Sequence, residues 1–250
     1  MLPNIQGSEM PQRQSEGFTA THWSVVLTAG QSDSPQAAQA LEKLCRAYWY
    51  PLYAYVRRQG HSPHDAQDLT QEFFARLLAK NYLATVGREK GKFRSFLLAA
   101  LNHFMADERD RTRAAKRGGG KAVISLDEED AETRYQADIV SQLSPDKIFE
   151  KRWATTLLEQ AFSRLREESV AAGKSERFDR LKTFLEDGTG PGDYDEAGAE
   201  LGMAANTVAA AVHRLRQRYR ELVRAEIANT VASPDEIKEE MQNLVAALAL

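Results

Sequence analysis

The stretch that decides the fold reads "DYDEAGAELGMAANTVAAAVHRLRQRYREL" and covers residues 193–222. Its first part has the apolar spacing of a short helix ending at Leu201, and Asp193 and Glu196 are placed to cap the start of that helix. Gly202 suits the left-handed residue that closes a helix, and a longer, arginine-rich helix follows after about three residues. A short helix, a glycine-containing turn and a longer basic helix predict a helix-turn-helix.

The longer helix has two faces when it is laid out at about 100° per residue. Val208, Val212, Leu215 and Tyr219 fall on one side and are expected to face a core. The opposite side is flanked by Ala209 and Ala211 and predicts a surface that contacts duplex nucleic acid through side-chain hydrogen bonds to bases and arginine contacts to phosphates. The residues of this predicted surface are Asn206, Thr207, Ala210, His213, Arg214, Gln217 and Arg220. The alternative interpretation is a solvated basic face on an ordinary bundle helix.

The charges of the chain are strongly segregated, although the formal net charge of its 250 residues is only -3. Residues 88–121 hold ten basic and four acidic side chains (+6), and residues 205–224 hold five basic and one acidic (+4). Between them, residues 122–150 hold two basic and eight acidic side chains (-6). Two basic islands separated by an acidic stretch predict two modules that touch a polyanion, joined by a linker that does not.

The composition is typical of a soluble globular protein, with 42% hydrophobic and 28% charged residues. The chain has a single cysteine, Cys45, which fits a reducing cytoplasm. No apolar run approaches the roughly 18 residues of a membrane span, and the opening segment lacks the basic and apolar regions of a signal peptide. We therefore expect a cytoplasmic protein with no membrane association.

Nearly every periodic segment has helical spacing, so we predict an all-α fold of two small helical domains. Glycines at 118–120 end the first module, and the acidic segment "LDEEDAE" after them predicts a linker. The predicted division is a disordered leader at 1–19, a first domain at 20–117, an acidic linker at 118–144, a helix-turn-helix domain at 145–229 and a C-terminal amphipathic helix at 230–250.

The C-terminal helix is announced by Ser233, Pro234 and Glu236, which form a capping-box arrangement. Its apolar residues fall on one face, which predicts either packing on the second module or docking of a partner. The residues of that face are Ile237, Met241, Leu244, Val245 and Leu248.

Two segments of the first module carry distinctive arrangements of apolar and charged residues. The segment "DAQDLTQEFFARLL" at 65–78 follows a helix start at Ser62 and Pro63 and carries an apolar stripe beside an acidic one. The apolar stripe is Ala66, Leu69, Phe73 and Leu77, and the acidic stripe is Asp65, Asp68 and Glu72. The segment "FRSFLLAALNHFMADERDRTR" at 93–113 begins aromatic and apolar and ends basic.

Both segments resemble bacterial RNA polymerase sigma factors of the extracytoplasmic-function type, in which forms such as D-A-E-D-L-V-Q-E-x-F and F-R-x-W-L-x-x-I-A-x-N-x-x-x-D-x-x-R recur. The first form is matched by Asp65, Ala66, Asp68, Leu69, Gln71, Glu72 and Phe74, and the second by Phe93, Arg94, Phe96, Leu97, Ala100, Asn102, Asp107 and then Arg109 or Arg111. The helix-turn-helix resembles the family's fourth region through Thr207-Val208 and through Arg214 and Arg216 at the basic positions that follow, so the resemblance covers roughly residues 20 to 228. The chain departs from the family at Ala204, where a capping serine is usual.

This resemblance implies a non-catalytic sigma factor that needs no cofactor or metal and that directs promoter recognition and opening. It implies core RNA polymerase, through the largest-subunit clamp and the beta flap, and promoter DNA as partners, and it allows an anti-sigma factor. The implied polymerase contacts are Asp65, Asp68, Gln71 and Glu72. The implied contacts with the minus-ten strand are Arg88, Lys90, Lys92, Arg94, Asn102, Arg109, Arg111 and Arg113. The exposed face of the helix-turn-helix would read the minus-thirty-five element.

Two other hypotheses stay open at the level of sequence. A stand-alone helix-turn-helix regulator would bind duplex DNA without polymerase, and would need neither the acidic stripe nor the aromatic-then-basic segment. A metal-dependent hydrolase would use His61, His64, Asp65 and Asp68, since His64 and Asp68 lie four apart on a helix.

Overall fold

The computed structural model describes residues 35–79, 92–114, 128–138, 143–186, 190, 192–231 and 233–250, and all regular structure within these ranges is helical. The predicted all-α fold is confirmed. The predicted leader at 1–19 lies outside the described residues. The helices are α1 (Pro35–Arg58), α2 (Pro63–Ala79), α3 (Phe93–Ala114), α4 (Glu128–Asp138), α5 (Pro145–Ala171), α6 (Ser175–Leu181), α7 (Thr183–Glu186), α8 (Asp193–Leu201), α9 (Ala205–Thr230), a 3-10 turn (Pro234–Glu236) and α10 (Ile237–Leu248).

Local sequence signals set the start of α2. The Asp65 amide donates to Ser62 Oγ at 3.1 Å, and Pro63 is the first helical residue, as predicted. The predicted apolar stripe faces inward: Ala66, Phe73 and Leu77 are buried, and Leu69 is half-buried.

The larger of two apolar cores surrounds α1. Residues 47–56 of this helix are buried on consecutive positions, so the helix is covered on all sides rather than along one stripe. Its aromatic side chains meet those of the neighbouring helices, with Tyr48 edge-on to Phe93 of α3 at 5.4 Å and Tyr55 edge-on to Phe149 of α5 at 6.4 Å between ring centroids. The first residues of α3 are thereby placed beside the centre of the molecule.

Helix α5 begins where the second domain was predicted to begin, and it packs against α1 as well as against α9 and α10. Arg58 at the end of α1 donates to the carbonyl of Leu143 at 2.8 Å, and Tyr219 of α9 donates to the carbonyl of Leu158 at 3.2 Å. The larger core therefore runs without a break across residue 145, which marks the start of a helix rather than an edge of packing.

The acidic segment was expected to be a linker, but its described part, α4, is a helix packed on the first core. Ala131 and Tyr135 are buried, and the Glu132 carboxylate accepts hydrogen bonds from Tyr53 Oη at 2.5 Å and from Arg57 Nη2 at 2.8 Å. The hydrogen bonds from Arg57 lower the pKa of Glu132 to about 2. Ala131 and Tyr135 stand four residues apart, which was the sequence signal for this helix, but the surrounding acidic residues obscured it.

A second, smaller core lies under the helix-turn-helix. It is formed by residues of α6 to α9, namely Leu181, Phe184, Ala197, Val208, Ala211 and Val212. Leu215 packs against both cores and joins them.

Candidate nucleic-acid interface

The turn between α8 and α9 has the geometry that the sequence predicted. Gly202 closes α8 in the left-handed conformation with φ +64°, and the Met203 amide donates to the carbonyl of Gly198 at 2.8 Å. Gly198 is also required for space, because a Cβ added there would lie 2.5 Å from the carbonyl oxygen of Met203. The two glycines together let α9 leave the turn at its observed angle.

Neither α8 nor α9 is capped by a side chain at its first residue, which was predicted only for α9. The Asp193–Glu196 capping pair is not formed: Gly192 occupies the N-cap of α8, and the Asp193 carboxylate instead accepts from the Gly190 amide at 2.5 Å. Asp193 has become the first residue of the helix, so its side chain folds back toward the preceding loop. Ala204 caps α9 without any side-chain hydrogen bond, as its sequence implies.

The outer face of α9 is exposed along its length, as predicted. The exposed side chains are Asn206, Thr207, Ala210, His213, Arg214, Gln217 and Arg220. Across the ranges that the structure describes, neither Arg214 nor Arg220 is held by a hydrogen bond or an ion pair. We call the pair Arg214 and Arg220 the exposed basic face.

Two other arginines of α9 have structural partners that sequence reasoning missed. Arg216 donates through Nε and Nη2 to the carbonyl of Phe184 at 3.0 and 2.7 Å, which fastens α9 to α7. Arg218 makes a two-pronged contact with Glu168 of α5 at 2.8 Å for each bond, and this contact lowers the pKa of Glu168 and raises that of Arg218. These arginines position the helix rather than extend the exposed basic face.

Ala211 was expected to flank the outer face, but it is 5% exposed and belongs to the smaller core. The apolar arc of α9 is wider than one stripe, because the helix packs on α8 and also on the larger core. A basic residue at position 211 would therefore point into the protein.

The start of α3 places two predicted strand contacts, Lys92 and Arg94, against other parts of the chain. Arg94 is only 4% exposed, and its guanidinium lies over the Trp153 ring at 4.5 Å from the centroid. Its Nε lies 3.2 Å from Glu240 Oε1, and Lys92 Nζ lies 2.9 Å from Glu239 Oε1. We call Lys92 and Arg94 the covered basic start, since in this conformation Arg94 does not present its guanidinium to DNA.

The remaining predicted contacts of the first module are placed along α3 or outside the described residues. Asn102 is half-buried and its Oδ1 accepts from Tyr55 Oη at 2.9 Å, which leaves its amide N–H groups as the donors that a base would meet. Arg109 and Arg111 are exposed near the end of the helix. Arg88 and Lys90 lie outside the described residues, as does the side chain of Arg113.

The acidic stripe of α2 is exposed at all three positions, with Gln71 half-buried beside it. Each carboxylate has a partner from its own neighbourhood. Asp65 accepts from the Ser62 hydroxyl at 2.7 Å, Asp68 lies 3.1 Å from His64 Nδ1, and Glu72 lies 2.9 Å from Arg76 Nε. The stripe is thus available to a basic partner, which would exchange these local contacts for its own.

The His64–Asp68 pair is fully at the surface, with side chains 81% and 65% exposed. Among the residues that the structure describes, no group of three or more His, Cys, Asp or Glu side chains is arranged to hold a metal ion. Within the same ranges, no helix is both long enough and apolar enough to cross a membrane.

Comparison with known proteins agrees with this arrangement. Residues 44–115, from the second half of α1 to just beyond the end of α3, match sigma-70 region 2. The chain is 26% identical over 199 residues to the ECF RNA polymerase sigma factor SigE of Mycolicibacterium smegmatis, an alignment that covers 79% of this chain and 66%, just under two thirds, of that relative. No solved structure shows significant similarity to the chain. The predicted resemblance to extracytoplasmic-function sigma factors is confirmed.

Proposed function

We propose that this chain, an extracytoplasmic-function-type sigma factor by its sequence, binds core RNA polymerase and directs promoter recognition and opening. The observation that carries the proposal is the coincidence of two features in one chain. Residues 44–115 match sigma-70 region 2, and α9 presents an exposed basic face in a helix-turn-helix. A stand-alone regulator would need only the second feature.

The acidic stripe of α2 is the proposed contact with the polymerase clamp. Its carboxylates are exposed and lie on one side of a helix whose opposite side is anchored in the larger core. A rigid, negatively charged surface favours association with a basic partner and fixes its orientation. The beta flap is proposed as a second polymerase contact.

Helix α3 is the proposed site for the minus-ten strand. Aromatic and apolar residues bury its first half, and Arg109 and Arg111 stand exposed on its second half, where they can follow a phosphate backbone. The Asn102 amide supplies donors for a base, and the loop at 87–92, whose residues 87–91 lie outside the described residues, is the proposed holder of a flipped base.

Helix α9 is the proposed reader of the upstream duplex. Its N-terminal residue Asn206 is exposed and suits a two-pronged contact with adenine, while Arg214 and Arg220 suit phosphates on either side of a groove. Such a protein supplies no catalytic group, metal or cofactor of its own. It would act in the cytoplasm, where an anti-sigma factor could control it.

Reconstitution with bacterial core RNA polymerase tests this proposal. We expect the full chain to co-elute with core polymerase on a sizing column and to direct run-off transcription from specific genomic fragments. Tight, sequence-specific duplex binding by the chain alone, with no co-elution, would instead establish a stand-alone regulator.

A charge reversal on α2 tests the clamp contact within the same assay. Asp68→Lys with Glu72→Lys should weaken polymerase binding at least about tenfold, since like charges would then face each other. The matched control is Glu167→Lys with Glu176→Lys, which makes the same charge change at exposed positions of α5 and α6. Equal affinity for the two double variants would show that the acidic stripe is only a solvated face.

A further inference from the structure

The covered basic start lies against the C-terminal helix α10. Lys92 Nζ is 2.9 Å from Glu239 Oε1 and 3.4 Å from Glu240 Oε2, and Arg94 Nε is 3.2 Å from Glu240 Oε1. The hydrogen bond from Lys92 lowers the pKa of Glu239. Two carboxylates of the C-terminal helix thus occupy the positions around Lys92 and Arg94 that the anionic oxygens of a phosphate backbone would take.

The Arg94–Glu240 pair is unusually deep for a charged contact. Glu240 is fully buried and Arg94 is 4% exposed, yet Arg94 Nε and Glu240 Oε1 are not aligned as a hydrogen bond. Burying two charges removes their hydration, and imperfect geometry recovers that cost only in part. Such a pair contributes little net stability to the docked position of α10.

Helix α10 is also held by an apolar contact. Leu244 and Ala247 are buried against α5 and α9, and Ile237 and Met241 pack partly buried against the same core. Val245 and Leu248 are 62% and 39% exposed. A helix of 12 residues is marginal on its own in water, so α10 is ordered mainly by docking. Only residues 231–236 separate α10 from α9 along the chain.

We propose that α10 is an autoinhibitory helix whose Glu239 and Glu240 cover the basic start of α3, and that α10 must undock before α3 can bind single-stranded DNA. This inference rests on the proposed function, which assigns Lys92 and Arg94 to the minus-ten strand. Arg214 and Arg220 are exposed in this closed form, so it keeps its upstream contact while the contact of Lys92 and Arg94 with the strand is blocked.

The test compares the full-length wild type with the Glu239→Gln, Glu240→Gln double variant. Binding to a fluorescein-labelled single-stranded DNA of mixed sequence is measured by anisotropy at one low salt concentration. If α10 is docked in about nine-tenths of molecules, its release should tighten apparent binding about tenfold. Hydrogen exchange of the α10 amides should accelerate in the same variant, while helical content is kept.

The matched control is Gln242→Lys with Ala246→Lys, at two exposed positions of α10. It makes the same change of two charge units without altering the partners of Lys92 and Arg94. It therefore measures how much a change in net charge alone raises the affinity for single-stranded DNA, which should be less than about twofold. If the double glutamine variant fails to fold, Glu239→Gln alone removes the exposed partner of Lys92, and about threefold tighter binding is expected.

Each outcome decides the proposal. Single-stranded binding by the glutamine variant equal to that of the lysine control, with or without faster exchange in α10, overturns autoinhibition. Co-elution with core polymerase is measured on the same proteins to separate the two hypotheses. Stronger DNA binding by the glutamine variant without any co-elution would support the autoinhibitory helix and reject the sigma-factor proposal. Co-elution without stronger DNA binding would support the sigma-factor proposal and reject the autoinhibitory helix.

Discussion

The covered basic start of α3 and the exposed basic face of α9 carry the same kind of charge in opposite settings. Arg94 is buried between Trp153 and Glu240, whereas Arg214 and Arg220 project into solvent. Both regions were predicted from sequence as nucleic-acid contacts. Their difference teaches that arginine density indicates where a polyanion could bind, while the packing around each guanidinium decides whether it is available.

The difference follows from which core each helix joins. The first residues of α3 lie beside α1, where Phe93 and Leu97 are completely buried, and Arg94 between them is covered by Trp153 and Glu240. Helix α9 rises from the smaller core of the helix-turn-helix and leaves its outer side free. Five substitutions test this contrast, beginning with the one expected to change duplex binding most.

Gly198→Ala should abolish the exposed basic face as a binding surface while leaving the start of α3 unchanged. The added Cβ would lie 2.5 Å from the Met203 carbonyl oxygen, so the turn must open, at a cost of about 3 kcal/mol. Urea denaturation should show the loss of stability, and holoenzyme binding to upstream duplex should fall at least about tenfold. Ala199→Ser, at the exposed neighbouring position, is the control and should leave stability and duplex binding unchanged. A Gly198→Ala protein as stable as the wild type would show that the turn tolerates the methyl group.

Arg216→Ala and Arg220→Ala distinguish an arginine that positions α9 in the fold from an arginine that contacts DNA. Loss of the two hydrogen bonds from Arg216 to the Phe184 carbonyl should cost about 2 kcal/mol of stability. Arg220→Ala should leave stability unchanged, weaken duplex binding about equally on all sequences and reduce the salt slope by roughly 0.9. Thermal melting measures the change in stability, and a salt titration of duplex binding measures the change in slope. Equal stability and equal salt slopes for the two variants would show that Arg216 and Arg220 do not have different roles.

Glu132→Gln tests another carboxylate–arginine contact at the larger core through its pH dependence. The pKa of Glu132 is lowered to about 2 from the ordinary 4.5, so its contribution to stability is complete above pH 4.5 and is lost as the pH falls toward 2. After allowance for solvent screening, that contribution is about 1.5 kcal/mol. The stability difference between wild type and Glu132→Gln should shrink across this window in urea titrations, and a constant difference would contradict the assignment.

Ala204→Ser should raise the free energy of unfolding slightly, because it places a capping side chain at the start of α9. Ala204 has the extended backbone of an N-cap but accepts no side-chain hydrogen bond. A serine oxygen there should add about 1 kcal/mol of stability without changing the start of α3. Ala210→Ser, at an exposed position inside the same helix, is the control and should add nothing; an equal gain from both would exclude capping as the cause.

Much of the fold could be predicted from local pattern. The helix-turn-helix, the Ser62 cap and the buried stripes of α2 and α3 follow from spacing and from glycine and proline chemistry, which act within a few residues. The exposed side of α9 could be assigned for the same reason. These features require no knowledge of what the helices meet.

The features that were missed in α9 and α10 depend on distant partners, whereas the unformed Asp193–Glu196 capping pair was a local miss. Val245 and Leu248 were expected on one apolar face of α10, for packing on the second module or for docking of a partner. They are exposed, whereas Glu240 and Ala247 are buried. Periodicity assigns residues to faces of a helix, but the neighbours decide how much of each face is covered. A buried glutamate looks like a surface residue in sequence, because its buried partner Arg94 lies far away along the chain.

The helices, the turn chemistry and the places where positive charge collects follow from the amino-acid sequence, since propensity, periodicity and charge are properties of neighbouring residues. Which of those charges are open to solvent depends instead on how the helices pack. Arg94 and Arg216 are engaged by Glu240 and by the Phe184 carbonyl, and Arg214 and Arg220 are not held by any described residue. Burial of a charge requires a partner and a surrounding core, and both are brought together only when distant helices pack.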